Sequence, residues 1–427
     1  MTATATKRRA WLPDRAADPQ WSDAEARAVV EAFDPRALPD RFYDDPYPTY
    51  RALQRLDPLH RCPDGMWFAT RHADLQAIYR DTRRFSSDKK KEFFPKYGDT
   101  PLFEHHTTSL VFNDPPLHTR VRKLIVGALT PRAIAQMEPG LVRLVDRLLD
   151  RAEDMGDIDV VEDFASAIPV EIIGNLLAVP HEERGPLRDW SLAILGALEP
   201  KLTAEQEDRG NRAVVEFVDY LEVLCAERRR NPGDPATDVL TRLIAGEEDG
   251  ASLTEAELYQ NCIFILNAGH ETTTNLIANG LHALMEWPDE RARLIAAPEL
   301  IETAIEEFLR FESSNQLGNR ITTCPVEIAG IALPPDSLIT LGIGAANRDP
   351  AQFRDPDRLD LSRTPNRHLA FGSGPHTCVG LSLARLEGRI AIARFLARFP
   401  DYALCGTAKR ARRARFRGFT EMPVRVR

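Results

Sequence analysis

Between His368 and Arg385 the chain reads HLAFGSGPHTCVGLSLAR. One thiol, Cys378, stands among Gly372, Gly374 and Gly380, with His376 two residues before it. An apolar pattern at helical spacing (Val379, Leu383, Leu386, Ile390, Ala393) begins immediately after it. Glycines let a backbone pass close to a bulky group, because no Cβ intervenes. A helix N-terminus stabilises a thiolate through its unpaired N–H groups and its dipole. A lone cysteine is most often an inert small hydrophobe. It can also be a nucleophile served by a histidine base, or a metal ligand. These surroundings favour the ligand. Zinc would require further cysteines or histidines at short spacing, and only His376 is near. A single thiolate is enough for a haem, whose porphyrin supplies four further ligands.

The chain has 427 residues, long enough for a large core. Its net charge of -9 argues against wholesale nucleic-acid binding. The six cysteines contain no C-x-x-C pair, which excludes a disulfide scaffold and fits a reducing compartment. The first residues hold no apolar run of signal-peptide length. No window approaches the ~20 apolar residues of a membrane span. A cytoplasmic protein without membrane attachment is expected.

Patterning predicts a mainly α protein, a large helical body with a small β-sheet region. Amphipathic stretches cover 131–152, 202–230, 253–285 and 297–312. In the first, Leu141, Leu144, Val145, Leu148 and Leu149 form one stripe, after a Thr130 cap and Pro131 at the first helical position. Ser252 and Glu255 have the spacing of a capping box before the longest helix. Short strands are expected within PVEIAGIALPPDSLITLGIGAANRDP, and residues 349–377 carry no regular pattern. Residues 1–40 are polar and proline-punctuated and are expected to form a flexible arm, with 41–427 a single catalytic domain.

The segment FGSGPHTCVG, Phe371 to Gly380, resembles the haem-binding loop of the cytochrome P-450 superfamily, F-G-x-G-x-H-x-C-x-G, at every fixed position. The resemblance implies that Phe371, Gly372, His376, Cys378 and Gly380 contact haem b (iron protoporphyrin IX), with Cys378 on the iron. LNAGHETTTN resembles the family's oxygen-activating segment A-G-x-[DE]-T-T. It implies that Ala268 and Gly269 let a helix pass close over the haem, and that Glu271 and Thr272 relay protons, as a carboxylate and a hydroxyl can. Helical spacing puts Phe264, Ala268 and Thr272 on one face, with Asn267 near it. Glu307 and Arg310 match the family's structural E-x-x-R pair, and Arg358 stands where a third member is expected. His118, Arg122 and Arg320 match positions that bind haem propionates. Asn315 stands where the family commonly has proline, which makes Gln316, Leu317 and Asn319 candidates for substrate contact.

The expected activity is that of a soluble bacterial-type haem-thiolate monooxygenase inserting one oxygen atom into a C–H bond of a small organic substrate. Oxidative coupling or dehydrogenation with the same haem is the alternative. The Glu271–Thr272 pair argues against a peroxygenase and against a haem sensor. The chain has no flavin or nicotinamide fingerprint, so a ferredoxin or flavodoxin-type donor is expected. Arg385, Arg389, Arg394 and Arg398, with Arg120 and Lys123, could steer such an acidic partner. The loop of residues 83–112 and helices in 180–225 should cap the pocket. There Phe94, His106 and Leu110 are candidate contacts, and Lys89, Lys90 and Lys91 could attract a carboxylate.

Overall fold

The computed structural model describes residues 21–235, 238–248 and 251–427. Its first helix, α1 (Asp23–Glu31), starts at Ser22, whose hydroxyl and the Glu25 carboxylate form a reciprocal capping box. Ala26, Val30 and Phe33 are buried against Phe42, Tyr50 and Leu53, the last two on α2 (Tyr47–Leu56). The described part of the expected flexible arm is therefore packed onto the body, because its hydrophobes fall at helical spacing on one side. Residues 1–20 lie outside the described residues.

A five-stranded sheet follows, in the order β1-β2-β5-β4-β3. The strands are β1 (Leu59–Arg61), β2 (Trp67–Ala69), β3 (Phe85–Ser86), β4 (Leu317–Thr322) and β5 (Leu338–Gly342). In β5, Thr340 lies opposite Phe68 of parallel β2 and Asn319 of antiparallel β4. The strands expected after residue 325 are present as Val326–Ile328, Ile331–Leu333 and β5. The last apolar run there, Ile343–Ala346, is a helical turn.

The helical body carries most of the chain. Between the sheet segments lie α3 (His72–Arg80), α4 (Lys90–Tyr97), α5 (Pro101–Thr108), α6 (Leu117–Ala128) and α7 (Pro131–Met155). The Thr130 side chain caps α7 by accepting from Ala133 N, and the predicted stripe Leu141, Leu144, Val145, Leu148 and Leu149 is buried throughout. Each such leucine contributes about 1.5–3 kcal/mol relative to exposure. Next come α8 (Ala167–Leu176), α9 (Leu187–Gly196), α10 (Ala204–Arg230) and α11 (Glu255–Glu286). Thr254 and Glu257 make the capping box of α11, two residues beyond the expected Ser252–Glu255 pair, because Thr254 is the residue that takes the extended cap conformation. Helix α11 is buried on nearly every side, as a helix through the centre of a large protein must be.

Two further helices frame the thiol segment, α12 (Ile301–Phe311) and α13 (Leu381–Arg398). Between Ala346 and Leu381 the only regular element is a 3-10 turn, Gly374–His376. This long stretch is wound around α12. Glu307, wholly buried, accepts from Arg310 (2.7 and 2.8 Å), Arg363 Nε (3.1 and 3.2 Å), Asn366 Nδ2 (3.1 Å) and Asp360 N (3.0 Å). Arg310 in turn donates to the carbonyls of Asn347, Pro356 and Arg358. The third member of the cluster is thus Arg363, not Arg358, whose side chain is exposed and which contributes only its carbonyl. The chain turns sharply between them, so five residues of sequence carry Arg363 back to the carboxylate.

Candidate functional site

A cavity of about 330 Å³ lies between α11, β4, the thiol segment and α6. Cys378 lines it. Its N–H donates to Phe371 O at 2.9 Å, closing the loop over the thiol. Burial pushes the thiol up from its ordinary value, opposed by the Gly380 N–H and by Arg122 and Arg385. The three glycines do different jobs. Gly372 and Gly374 have φ of +67° and +70°, where a side chain is strained. A Cβ on Gly374 would also stand 2.6 Å from Tyr79 O, so that glycine clears the end of α3. Gly380 faces open space. Beside the loop, Arg385 lies 4.9 Å over the Phe371 ring and grips Glu306 with two bonds (2.6 and 2.7 Å).

His118 and Arg122, one turn apart on α6, meet His376 and Arg320 at one end of the cavity. The rings of His118 and His376 are 3.9 Å apart. Burial, reinforced by the neighbouring arginines, pushes His118 down to about 4 and His376 down to about 2. Nε2 of each histidine and Nε of Arg320 are buried without a hydrogen-bond partner. Asp114 is engaged by Ser86 Oγ and Ser87 N. Buried donors without acceptors cost about 1–3 kcal/mol each. Two carboxylates presented to this corner would satisfy all of them, and a thiol beside it completes the donor set of a haem-thiolate. The residues fit that group.

Helix α11 forms the opposite wall. Phe264, Ala268 and Thr272 share its cavity face, as their spacing predicts. The Thr272 hydroxyl donates to Ala268 O at 2.8 Å. Gly269 also lines the cavity, but a Cβ there would strike Ile173 of α8 at 2.4 Å, so its size is set by helix packing. Asn267 reaches both ways. It lines the cavity and lies 3.4 Å from His105 Nε2, with its own Oδ1 unpartnered. Glu271 does not line the cavity. It is buried and ion-paired with Arg413, which also pairs with Glu199 at 3.2 Å. Burial pushes the Glu271 carboxyl up, and Arg413 opposes that.

Leu317 and Asn319 line the cavity, but Gln316 does not. The Gln316 amide donates to Ser313 O at 2.8 Å and packs on Gly344. His106 and Leu110 are wall residues, whereas Phe94 is exposed outside it. The lysine run is neutralised within the chain: Lys89 by Glu92 (2.7 Å), Lys90 by Asp88 (3.5 Å) and Lys91 by Asp336 (2.7 Å). The arginines expected at a docking face are paired too: Arg385 with Glu306, Arg389 with Glu302, Arg394 with Asp146, Arg398 with Asp150, and Arg120 with Glu257. Four groups escaped sequence reading: Glu387 and Arg415 on the cavity wall, Arg363 on the Glu307 carboxylate, and, on Glu271, Arg413. Arg413 and Arg415 sit in the run KRARRARFRG, whose density of arginine ordinarily marks a solvated surface.

Similarity to known proteins extends over most of the chain. The family described as Cytochrome P450 matches residues 195–401. The biotin biosynthesis cytochrome P450 of Bacillus subtilis (strain 168) is 35% identical over 387 residues, covering 90% of this chain and 96% of that protein. The vitamin D(3) 25-hydroxylase of Pseudonocardia autotrophica is 37% identical, covering 90% and 94%. Among solved structures, P450BioI in complex with a hexadec-9Z-enoic acid-ligated acyl carrier protein superposes with a TM-score of 0.85 at 33% identity, over 91% of this chain and 100% of that one. The chain belongs to the cytochrome P450 family. It is a bacterial-type haem-thiolate monooxygenase, which places one atom of molecular oxygen in a C–H bond of an organic substrate. No helix among the described residues is long and apolar enough to cross a membrane.

Proposed function

We propose that Cys378 is the thiolate ligand of haem b and that His118, Arg122, Arg320 and His376 hold its propionates. The observation that carries this is the corner of buried, unpartnered nitrogens beside a thiol at a helix N-terminus. When bound, such a haem supplies the iron at which oxygen is reduced, and thiolate ligation favours O–O cleavage. Phe371 and the Arg385 guanidinium shield the thiol from water. Gly380 offers its N–H to the sulfur and holds the charge there. Thr272 keeps its hydroxyl hydrogen on Ala268 O and turns its oxygen lone pairs to the cavity, where they accept a proton-bearing water. Glu271, behind it, is the store from which that proton is replaced. Phe264, Ala268 and Leu317 form apolar walls for the substrate, with Asn267 as a polar contact.

Glu307, Arg310 and Arg363 support the site by fixing the segment that leads to Cys378. The catalytic domain starts by Ser22, since α1 shares the core. A ferredoxin or flavodoxin-type protein supplies the electrons in the cytoplasm. The test is Cys378→Ser. The variant should fold and lose both monooxygenation and the long-wavelength carbon monoxide band of a thiolate-ligated haem. A variant that retained that band would overturn the assignment.

A further inference from the structure

The arginine run near the C-terminus places on the cavity wall a cation that makes no ion pair among the described residues. Arg415 lines the cavity, in the segment joining Lys409–Arg410 to Phe419–Glu421. Its Nε donates to Leu198 O (3.3 Å), Nη1 to Leu317 O (3.1 Å) and Nη2 to Asn319 Oδ1. Among the described residues no carboxylate is within ion-pair distance of it. The nearby acids are engaged elsewhere. Glu92 holds Lys89, and Glu199 holds Arg413 and the backbone N–H groups of Ala414 (2.8 Å) and Arg415 (3.3 Å). Glu199 thus clamps the segment and acts on Arg415 from beyond ion-pair distance. A guanidinium has five N–H donors. With three committed to carbonyl-type acceptors, one N–H remains on each terminal nitrogen, the pair a carboxylate takes in a bidentate contact.

A second group points to a ligand at the same place. His106, from α5, is buried, lines the cavity, and has an unpartnered Nε2. Arg415 and Lys96 are among the charges acting on it, and burial with those charges keeps it neutral. Arg415 is among the charges acting on His106 and not among those acting on His118 and His376, which include Arg122 and Arg320, although Arg320 and Arg415 both act on Tyr79. Lys96 is turned away, onto the carbonyls of Ala197 and Glu199 (3.0 and 2.7 Å). Between this end and the Thr272 face the walls are apolar: Leu195, Leu198, Phe264 and Phe416. A half-buried cation against such apolar walls is better satisfied when an anion joins it.

We propose that Arg415, with His106 beside it, binds a carboxylate of the substrate, and that the substrate class is a carboxylic acid with an apolar body. This rests on the haem-thiolate reading of the same cavity. The lysine run that the sequence offered for this task is spent on its own acids; the group that is free to do it is Arg415.

The test titrates purified holoenzyme with dodecanoic acid and with methyl dodecanoate, following the change in haem absorbance on binding. The wild-type protein should bind the acid at least about tenfold more tightly than the ester. Arg415→Gln should abolish that preference while leaving ester affinity, haem content and the carbon monoxide band unchanged. Arg415→Lys, which keeps the charge and loses the fork, should retain part of it. Wild-type protein without acid preference, including protein that binds neither compound, overturns the proposal. So does an Arg415→Gln variant that keeps the preference, and so does one that purifies without haem, since the guanidinium would then serve the haem carboxylates. If Arg415→Gln does not fold, the wild-type and Arg415→Lys titrations decide. Failure of the haem-thiolate reading is separate: the wild-type protein would lack the carbon monoxide band before any ligand is added.

Discussion

Glu271 is ion-paired with Arg413 behind the cavity wall, one residue before Thr272 on the same helix. A buried carboxyl is pushed toward its protonated form, and the guanidinium holds it back. That balance makes Glu271 a carboxyl that holds a proton more readily than an exposed one and can still give it up. Glu271→Gln should bind haem and substrate normally and lose about 10- to 100-fold in turnover with a surrogate ferredoxin. Arg413→Gln should also be slow, because without the guanidinium burial raises the Glu271 carboxyl further. Raising the pH should restore part of the Arg413→Gln activity and none of the Glu271→Gln activity. Equal pH profiles for the two variants would show that the carboxyl does not supply the proton.

Thr272 presents its hydroxyl oxygen to the cavity because its hydrogen is committed to Ala268 O. Removing the oxygen leaves the haem corner intact and takes away the acceptor for a bridging water. Thr272→Ala should consume electrons at near the wild-type rate but release most of them as hydrogen peroxide. Thr272→Ser should restore coupling, since it keeps the same i to i−4 bond. The ratio of product to peroxide measures this, and full coupling in the alanine variant would exclude Thr272 from the relay.

Arg363 and Arg310 share one wholly buried carboxylate, Glu307. Removing Arg363 leaves Glu307 paired with Arg310 but strips hydrogen bonds from a buried carboxylate, at a cost of about 1–3 kcal/mol. Arg363→Ala should therefore lower the thermal midpoint clearly and loosen haem retention. Arg358→Ala should leave both within experimental error, because only its carbonyl is used. Haem loss to apomyoglobin, followed alongside thermal unfolding, separates the two variants.

The contrast between Arg358 and Arg363 shows what a sequence carries. Periodicity located the long helices, because one buried stripe is a local property: α7 and α11 lie where their hydrophobes predict. Spacing within a helix likewise placed Phe264, Ala268 and Thr272 on one wall. The irregular stretch between Ala346 and Leu381 has no period to read, so which of its arginines meets Glu307 depends on a chain path set by tertiary contacts. The same holds for Arg413 and Arg415, brought to the cavity from the far end of the chain by Glu199. The thiol loop was legible because backbone conformation, helix start and ligand all fall within one short segment. Gln316 was misplaced because its own turn, through Ser313, holds the side chain inward.

Glu387 lies on α13 nine residues after Cys378, buried and on the cavity wall. Burial pushes its carboxyl up to about 8, and a hydrogen bond with Thr273 of α11 only partly offsets this. The folded protein therefore keeps a proton there that the unfolded chain releases near pH 4.5. Between those values the folded state binds more protons than the unfolded one, so stability is full below the unfolded pKa and falls as pH rises toward 8. The slope from this one group is at most about 1.4 kcal/mol per pH unit. Glu387→Gln keeps the shape and a donor for Thr273 but cannot ionise. Denaturant unfolding from pH 5 to pH 8 should show the wild-type protein losing stability relative to Glu387→Gln as pH rises, with the two curves converging at the acid end. Parallel curves across that window would mean that Glu387 is ionised in the folded protein, and that a cation not paired with it in this structure reaches it from the cavity.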